Sequence, residues 1–549
     1  MIDLNPDHLE TVQHILAKYA PGCEVRAFGS RVKWTAKDYS DLDLAIVGGK
    51  RFDLRMMNRL TEAFEESDLP IRVDVIDWHT ISGGFRKIID AEYAVIQDAE
   101  PVKVDEKSGA SSKSLNIGND CWDKVKFGDV VQINPRRVLR KTENAFHIPM
   151  RDIEVFIREV TSHSYKEFNG SGVRFQNGDT LFARITPCLE NGKTAYVNCL
   201  KPNQVGHGST EFIVLSGVEG KTDDLFVYYL ARNPNLRTFA IHSMQGSTGR
   251  QRVMADSLRS FELILPPIEE QRRIAHILGI LDDKIELNRQ MNETLEATAR
   301  AIFKSWFVDF DPVKAKMKGR KPPFMDTETA ALFPSAFQDS PLRKIPKGWK
   351  VRTLGEIAEN VRRSVKASEI DSSECFLGLE HMPRRSITLF QWETASDIQS
   401  NKYRFRKGEI LLGKLNPHFH KVGVAPIDGI CSTDILVIQP VNAGWFGVVL
   451  GLVSSDNFVA YTSVHARGTT LPRTNWKDMS KYKIALPKIE IAQKYSEFIR
   501  PFIERIIENI HQSHTLAQTR DTLLPKLLSG EIRGRDADEI LEVNDGGKS

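Results

Sequence analysis

The sequence predicts a multidomain α+β chain: a small α/β domain, then two copies of a strand-rich domain joined by two long antiparallel helices. Three observations predict it. At 549 residues the chain is too long for one hydrophobic core, since domains usually hold about 100 to 200 residues. Four landmarks recur in the same order after residue 121. After the last landmark of each copy, the apolar spacing changes from alternating to helical.

In the first hundred residues we expect a helix over Pro6 to Tyr19, apolar at Leu9, Val12, Leu16 and Tyr19, and a strand ending near Phe28. The turn Gly29-Ser30, an irregular segment, the strand Leu42 to Val47, a helix around Leu54 to Phe64 and the strand Ile71 to Ile76 follow. Within RAFGSRVKWTAKDYSDLDLAIV, residues 26 to 47, Asp41 and Asp43 project from one strand face while Leu42 and Leu44 enter the core. Two carboxylates held so close repel unless something cationic lies between them, and a divalent metal is the natural partner. Asp74, between Val73 and Val75, adds a third carboxylate; Asp77 has the opposite parity and lies at the strand end. Three carboxylates can hold one or two magnesium ions, orient a nucleoside triphosphate and activate a hydroxyl. Gly29 lets backbone approach a phosphate, and Ser30 can bind its oxygens. The plainer alternative is a strand with two exposed aspartates.

Residues 104 to 120, VDEKSGASSKSLNIGND, are polar and rich in Gly and Ser, as in a flexible tether. Then the repeat begins. WDKVKFGDVVQI from Trp122 returns as WKVRTLGEIAEN from Trp349, and GDTLFARITP from Gly178 as GEILLGKLNP from Gly408. STEFIVL from Ser209 matches STDILVI from Ser432, and GSTGRQRVMADSLRSFELILPPIEEQ from Gly246 matches GTTLPRTNWKDMSKYKIALPKIEIAQ from Gly468. The offsets are 227, 230, 223 and 222 residues, so the copies differ by small insertions only. Short β-branched runs bounded by Gly, Pro and Asn make each copy a strand-rich α+β domain of about 140 residues.

From Ile268 to about Phe307, apolar residues at Ile274, Ile277, Leu278, Leu281, Ile285, Met291, Leu295, Ile302 and Trp306 form a near-heptad stripe, with Asn288 and Asn292 available to fix register. A helix of some forty residues is about 60 Å long and needs a partner to bury one stripe. Tyr495, Phe498, Phe502, Ile503, Ile506, Ile510, Leu516, Leu523 and Leu527 supply it, with Pro501 expected to kink that helix or start a new one. The alternative is that each helix covers only its own domain. The connector KAKMKGRKPPF from Lys314 is basic and Pro-containing, and the tail after Arg535 is acidic and expected to be disordered. The expected boundaries are 1–100, linker 101–118, first copy 119–267, helix 268–310, connector 311–345, second copy 346–487, helix 488–535 and tail 536–549.

The composition, 41% hydrophobic and 27% charged, is that of an ordinary globular chain. No apolar run approaches a membrane span, and Asp3, Asp7 and Glu10 occupy the place of a signal peptide's basic region, so a cytoplasmic protein is expected. The six cysteines form no CxxC pair and are expected to be buried or inert thiols. The net charge of +3 divides into −6 over the first hundred residues and +9 over the rest, a weak pointer to a polyanionic partner.

From about Asn119 to Gly534 the chain resembles the specificity subunit of type I restriction-modification systems. The resemblance is carried by the duplicated domain ending in LPPIEEQRRIAHIL, by LDDKIELNRQMNETLEATARAIFKSWFVDFDP, by the restart IPKGWKVRTLGEIAE and by LLPKLLSGEI. It implies that each copy is a target-recognition domain for half of a bipartite site on double-stranded DNA. It further implies that the helices, as a coiled coil, set the spacing and dock two methyltransferase subunits, with restriction/translocase subunits completing the complex. Catalysis, with S-adenosylmethionine and ATP, would belong to those partners. The chain has no GxxxxGK[ST] loop. NPHF at Asn416 departs from the methyltransferase Asn-Pro-Pro-aromatic element, and His418, His420 and Cys431 make a poor metal set. Candidate DNA contacts, in Gly- or Pro-rich loops beside strands, are Arg184, Lys193, Arg250 and Arg252 in the first copy and Lys414, Lys421, Arg467 and Arg473 in the second. Each could equally be an ordinary surface charge.

The front segment resembles the minimal nucleotidyltransferases of the DNA polymerase beta superfamily, on Gly-Ser, a ten-residue spacer and SDLDLAI. By that resemblance Asp41, Asp43 and Asp74 are catalytic metal ligands for Mg2+, and Gly29, Ser30 and Arg31 form the nucleotide-binding turn, with ATP as the expected nucleotide. Trp34 stands where relatives often carry Gly. Isolated domains of this kind partner a small helical toxin, transferring AMP to it or only binding it. Two readings of the whole chain follow: a DNA-recognition subunit with an accessory domain, or a Mg-dependent nucleotidyltransferase that its repeated body recruits to a substrate.

Overall fold

Alternation of apolar residues makes the segment Leu42–Val47 the centre of the front sheet, with Leu42, Leu44 and Ile46 buried. The computed structural model describes residues 2–29, 31–32, 41–47, 60, 63–64, 67, 69, 71, 73–78, 86, 89, 93–97, 122–155, 157–160, 164–246, 250–396, 398–468 and 471–536. Ser30, Trp34, most of the helix expected over Leu54 to Phe64, the tether at 104–120 and the tail from 537 lie outside them. Contacts divide the chain into two units, Met1–Asn119 and Asp120–Ser549.

The first unit comprises α1 (Pro6–Tyr19), β1 (Glu24–Phe28), β2 (Leu42–Val47), β3 (Val73–Asp77) and β4 (Ala94–Gln97). The sheet order is β3-β2-β1-β4; β2 and β3 run parallel, the other pairs antiparallel. Val12 and Leu16 of α1 join Leu42, Leu44 and Ile46 in the core. The Gln97 amide donates to the carbonyls of Ala20 and Cys23, closing the turn between α1 and β1. The third expected strand begins two residues later and ends one residue later than the sequence suggested.

In the second unit the repeat is topological as well as sequential. The strands Thr194–Tyr196, Thr180–Ala183, Phe212–Gly217 and Val131–Ile133 form one sheet of the first copy. In the second copy Val422–Val424, Ile410–Gly413, Ile435–Pro440 and Ala358–Asn360 repeat its order. Each copy adds another sheet containing one parallel pair, Gly206–Gly208 with Asn144–Ile148 and Gly429–Cys431 with Cys375–Leu377. Each copy's first strand pairs with its last, Asp123–Lys126 with Glu262–Leu265 and Lys350–Thr353 with Lys483–Leu486.

The long helices are Ile268–Phe303 and Ile489–Ser529. The first ends in a wider π turn, Lys304–Val308. Their pairing is antiparallel: Asp282 meets Arg520, Asn288 meets Ser513, Asn292 meets Asn509, and Tyr495 Oη donates to the Ala299 carbonyl. The asparagines fix register as their spacing suggested, Asn288 Nδ2 donating to Gln512 Oε1 at 2.9 Å and Asn509 Nδ2 to Asn292 Oδ1 at 2.8 Å. The second helix does not restart at Pro501 but runs through both Pro501 and Pro525. Both prolines are exposed, so the carbonyls they release face water. Phe498, expected on the buried stripe, is exposed.

Neither helix covers only its own domain. Leu523, Leu524, Leu527 and Leu528 of the second helix enter the first domain's core beside Ile274 to Leu281. Phe303, Trp306 and Phe307, at the end of the first helix, enter the second domain's core beside Tyr495 and Ile499. The connector is more than a linker. It forms the helices Asp311–Met317 and Thr327–Leu332, and buries Val313, Met325 and Phe333 in that second core. Among the described residues no single helix is long and apolar enough to cross a membrane.

Candidate functional site

At the front-domain site, register brings the acidic positions together. Asp43 is aligned with Phe28 of β1 on one side and with Asp74 of β3 on the other. Asp41 is exposed just before β2, and Asp43 is half-buried. Gly29, at φ +83°, lies under the Asp43 carboxylate; a Cβ there would come within 2.5 Å of Oδ2. A glycine is therefore required twice over, for the left-handed backbone and for the close approach. Arg31 is 6% exposed and donates from Nη1 to the Asp3 carbonyl at 2.9 Å, tying the turn to the segment before α1. Among the described residues the exposed Asp41 and the half-buried Asp43 thus stand beside a glycine turn, carboxylate chemistry of the kind that a divalent cation takes, although no group of three such ligands is gathered there.

The DNA-contact candidates occupy equivalent places in the two copies. The Arg184 amide donates to the Glu211 carbonyl, and the Lys414 amide to that of Asp434. Arg252 bridges to Ile185 and Gln245; Arg473 bridges to Leu415 and Arg467. Lys193 and Lys421 also correspond, their carbonyls accepting from Ala183 and Gly413. Arg184, Arg250 and Arg252 thus gather at one sheet end of the first copy, as do Lys414, Arg467 and Arg473 in the second.

Their side chains differ in commitment. Arg252 makes a two-pronged ion pair with Glu211, with Nη2 at 2.7 Å from Oε1, and this pairing holds the Glu211 carboxyl below its usual range. Arg473 lies 3.3 Å from Asp434, and Lys414 lies 3.6 Å from the same carboxylate. Lys193 donates one hydrogen bond to the Met150 carbonyl and Lys421 one to that of Leu379. Burial lowers the Lys421 pKa. Arg184 reaches the Met254 sulfur, while Arg250 is exposed and the Arg467 side chain is 84% exposed. The loop holders Glu211 and Asp434 were missed from sequence, although both stand third in the repeated Ser-Thr-acidic landmark. Of the cysteines expected to be buried or inert, Cys431 is buried, and Cys199 is exposed with its thiol pKa raised by desolvation.

The family model described as type I restriction modification DNA specificity domain matches residues 119–297 and again 346–515, more than half of the chain. The chain belongs to this family. A second model, polymerase beta nucleotidyltransferase, matches residues 10–101. Among specificity-subunit relatives, the "Type I restriction enzyme MjaIX specificity subunit" of Methanocaldococcus jannaschii is 26% identical over 451 residues, covering 79% of this chain and 93% of that protein. The front segment is 52% identical over 99 residues to the "Probable protein adenylyltransferase MntA" of Haemophilus influenzae, covering 18% of this chain and 87% of that protein. A solved type I restriction-modification S subunit from M. genitalium, 15% identical, covers 75% of this chain and 98% of its own, with a TM-score of 0.43. A specificity-subunit body and a nucleotidyltransferase domain therefore share one polypeptide.

Proposed function

We propose that the protein is the DNA-recognition subunit of a type I restriction-modification complex. Each repeated domain reads one half of a bipartite target on double-stranded DNA, and the helix pair spaces the halves and docks methyltransferase and restriction subunits. The single observation that carries this reading is the double family match over two domains of one topology at opposite ends of the helix pair. The loop-end residues Arg184, Arg250, Lys414, Arg467 and Arg473 support it, because arginine and lysine at sheet ends can reach phosphates or the guanine edge. Lys193, Lys421 and Arg252 hold the loops that present those groups.

Selection from randomised double-stranded DNA, by the protein assembled with the methyltransferase encoded beside it, tests this. A bipartite motif with a fixed gap, and affinity falling steeply with salt, is expected. Recovery of no preferred bipartite sequence would sink the proposal.

For the front domain we infer Mg-dependent transfer of AMP from ATP to a hydroxyl of an acceptor protein, the hydroxyl oxygen bonding the α-phosphorus and losing its proton as the α–β phosphoanhydride breaks and pyrophosphate leaves, with a small helical toxin as the acceptor class. Asp41, Asp43 and Asp74 would hold the metal, and Gly29, Ser30 and Arg31 would shape the phosphate-side turn. When bound, the metal neutralises phosphate charge and lowers the pKa of the attacking hydroxyl. The alternative, in which nucleotide transfer is the main activity and the body merely recruits the substrate, shares this site. Label transfer from α-labelled ATP, lost in Asp41→Ala plus Asp43→Ala, is the expected result. Equal labelling by wild type and the double variant contradicts the assignment.

A further inference from the structure

Glu296 stands on the first long helix, 8% exposed, and its carboxylate is grasped by one loop of the second recognition domain. Ser386 Oγ donates to it at 2.7 Å, the Ile387 amide at 3.1 Å, and Thr388 through both its amide at 3.1 Å and Oγ1 at 2.5 Å. All four donors are neutral, and they converge because Arg385, just before them, sits in the left-handed region at φ +60°. A non-glycine residue pays for that conformation only where surroundings enforce it. Arg300, one helical turn after Glu296, donates to the Arg385 carbonyl at 3.1 Å, and the Arg385 amide donates to the His420 carbonyl. The loop is thus gripped by two groups on one helix face.

The first domain holds the same helix elsewhere. Arg158 bonds the Gly279 carbonyl and Asp283, thirteen residues before Glu296, or about 20 Å of helix. Between the two fastenings lies a cavity of about 630 Å³, lined by Arg158 and Lys193 of the first domain and by Glu380 and Thr388 of the second. Beside this opening the loop at Glu296 is a polar hold of the second domain on the first helix, added to the core packing at Phe303 and Trp306 and to the contact of Phe390 with His514 of the second helix.

We propose that Glu296 is a positioning residue for target recognition: its grip on Ser386, Ile387 and Thr388 sets the angle of the second domain and so the gap at which both half-sites engage. The proposal rests on the DNA-recognition reading above. It separates gap discrimination from base recognition, because Glu296 lies on the helix rather than among the loop-end residues.

The test is a binding profile of the assembled complex on the selected target and on versions with one base pair added to or removed from the gap. For Glu296→Ala we expect the preference for the best gap over its neighbours to fall by about fivefold or more, with each half-site's base preferences unchanged. Glu296→Gln, which keeps one acceptor oxygen, should recover part of it. Ser386→Ala with Thr388→Val loosens the loop side and should move the profile in the same direction, which also covers the case of Glu296→Ala failing to fold. A wild-type complex with no bipartite preference defeats the underlying reading. A wild-type preference retained with an identical gap profile in the folded variants overturns the role of Glu296.

Discussion

Arg158 fastens the first recognition domain to the helix pair through a carboxylate and a carbonyl, whereas Glu296 receives the second through hydroxyl and amide donors. The first domain adds a buried ionic chain: Tyr229 Oη donates to Asp282, which pairs with Arg520, and Arg520 and Arg232 share Asp521. The second adds a neutral imidazole, with His514 between Phe390 and Trp392 and bonded to the Phe390 carbonyl at 2.7 Å. The two copies share strand order and loop anchors but not fastening chemistry. The repeat runs into both helices, but these contacts are not equivalent: Arg158 grips the helix of its own copy, and the Ser386 loop grips the helix of the other.

The largest expected effect comes from breaking the ionic chain. Arg520 and Asp282 are 1% and 2% exposed, so Asp282→Ala strands a guanidinium in the interior. Such losses run to about 3–5 kcal/mol, and the retained Asp521 partner should keep this one near the lower end. Urea denaturation measures it, and amide exchange should rise first in the helix Asp224–Ala231. Tyr229→Phe, which removes one buried hydrogen bond to the same carboxylate, should cost about 1–2 kcal/mol in the same assay.

Both domains should respond to acid, the first through His147 and His207, whose pKa values burial lowers, and the second through His514. Burial lowers the pKa of His514 below the ordinary imidazole value of 6.5. The unfolded chain then binds the proton more readily, so this contribution is complete above 6.5 and is lost as pH falls through the lower folded value. Melting between pH 7.5 and 5 should show a shallower decline for His514→Gln than for wild type. Smallest of all, neutralising the exposed Arg505–Glu508 pair should shift stability by less than about 0.5 kcal/mol, a control for the helix surface.

Much of this was legible in the residues. The four landmarks exposed the duplication because turns and strand ends need particular Gly, Pro and Thr positions, and the Asn288 and Asn292 interruptions announced a register lock. In the front domain the local spacing of Gly-Ser and Asp-Leu-Asp placed Gly29 beside Asp43, whereas the alignment of Asp74 with Asp43 comes from pairing of separate strands. Long-range partners were not readable. Nothing near Glu296 in sequence points to Ser386, and nothing near Arg252 points to Glu211. The connector's Lys and Pro run reads as a linker, and Val313, Met325 and Phe333, which flank it without a common period, fill the second core from separate turns.

The central claim is that two domains at opposite ends of one helix pair read two separated stretches of DNA. Hydroxyl-radical footprinting of the assembled complex on its selected target tests it most directly. The account predicts two protected blocks divided by an unprotected gap, with mutation of one half-site erasing sequence-dependent protection there first. A single continuous block, or protection indifferent to sequence, would contradict it.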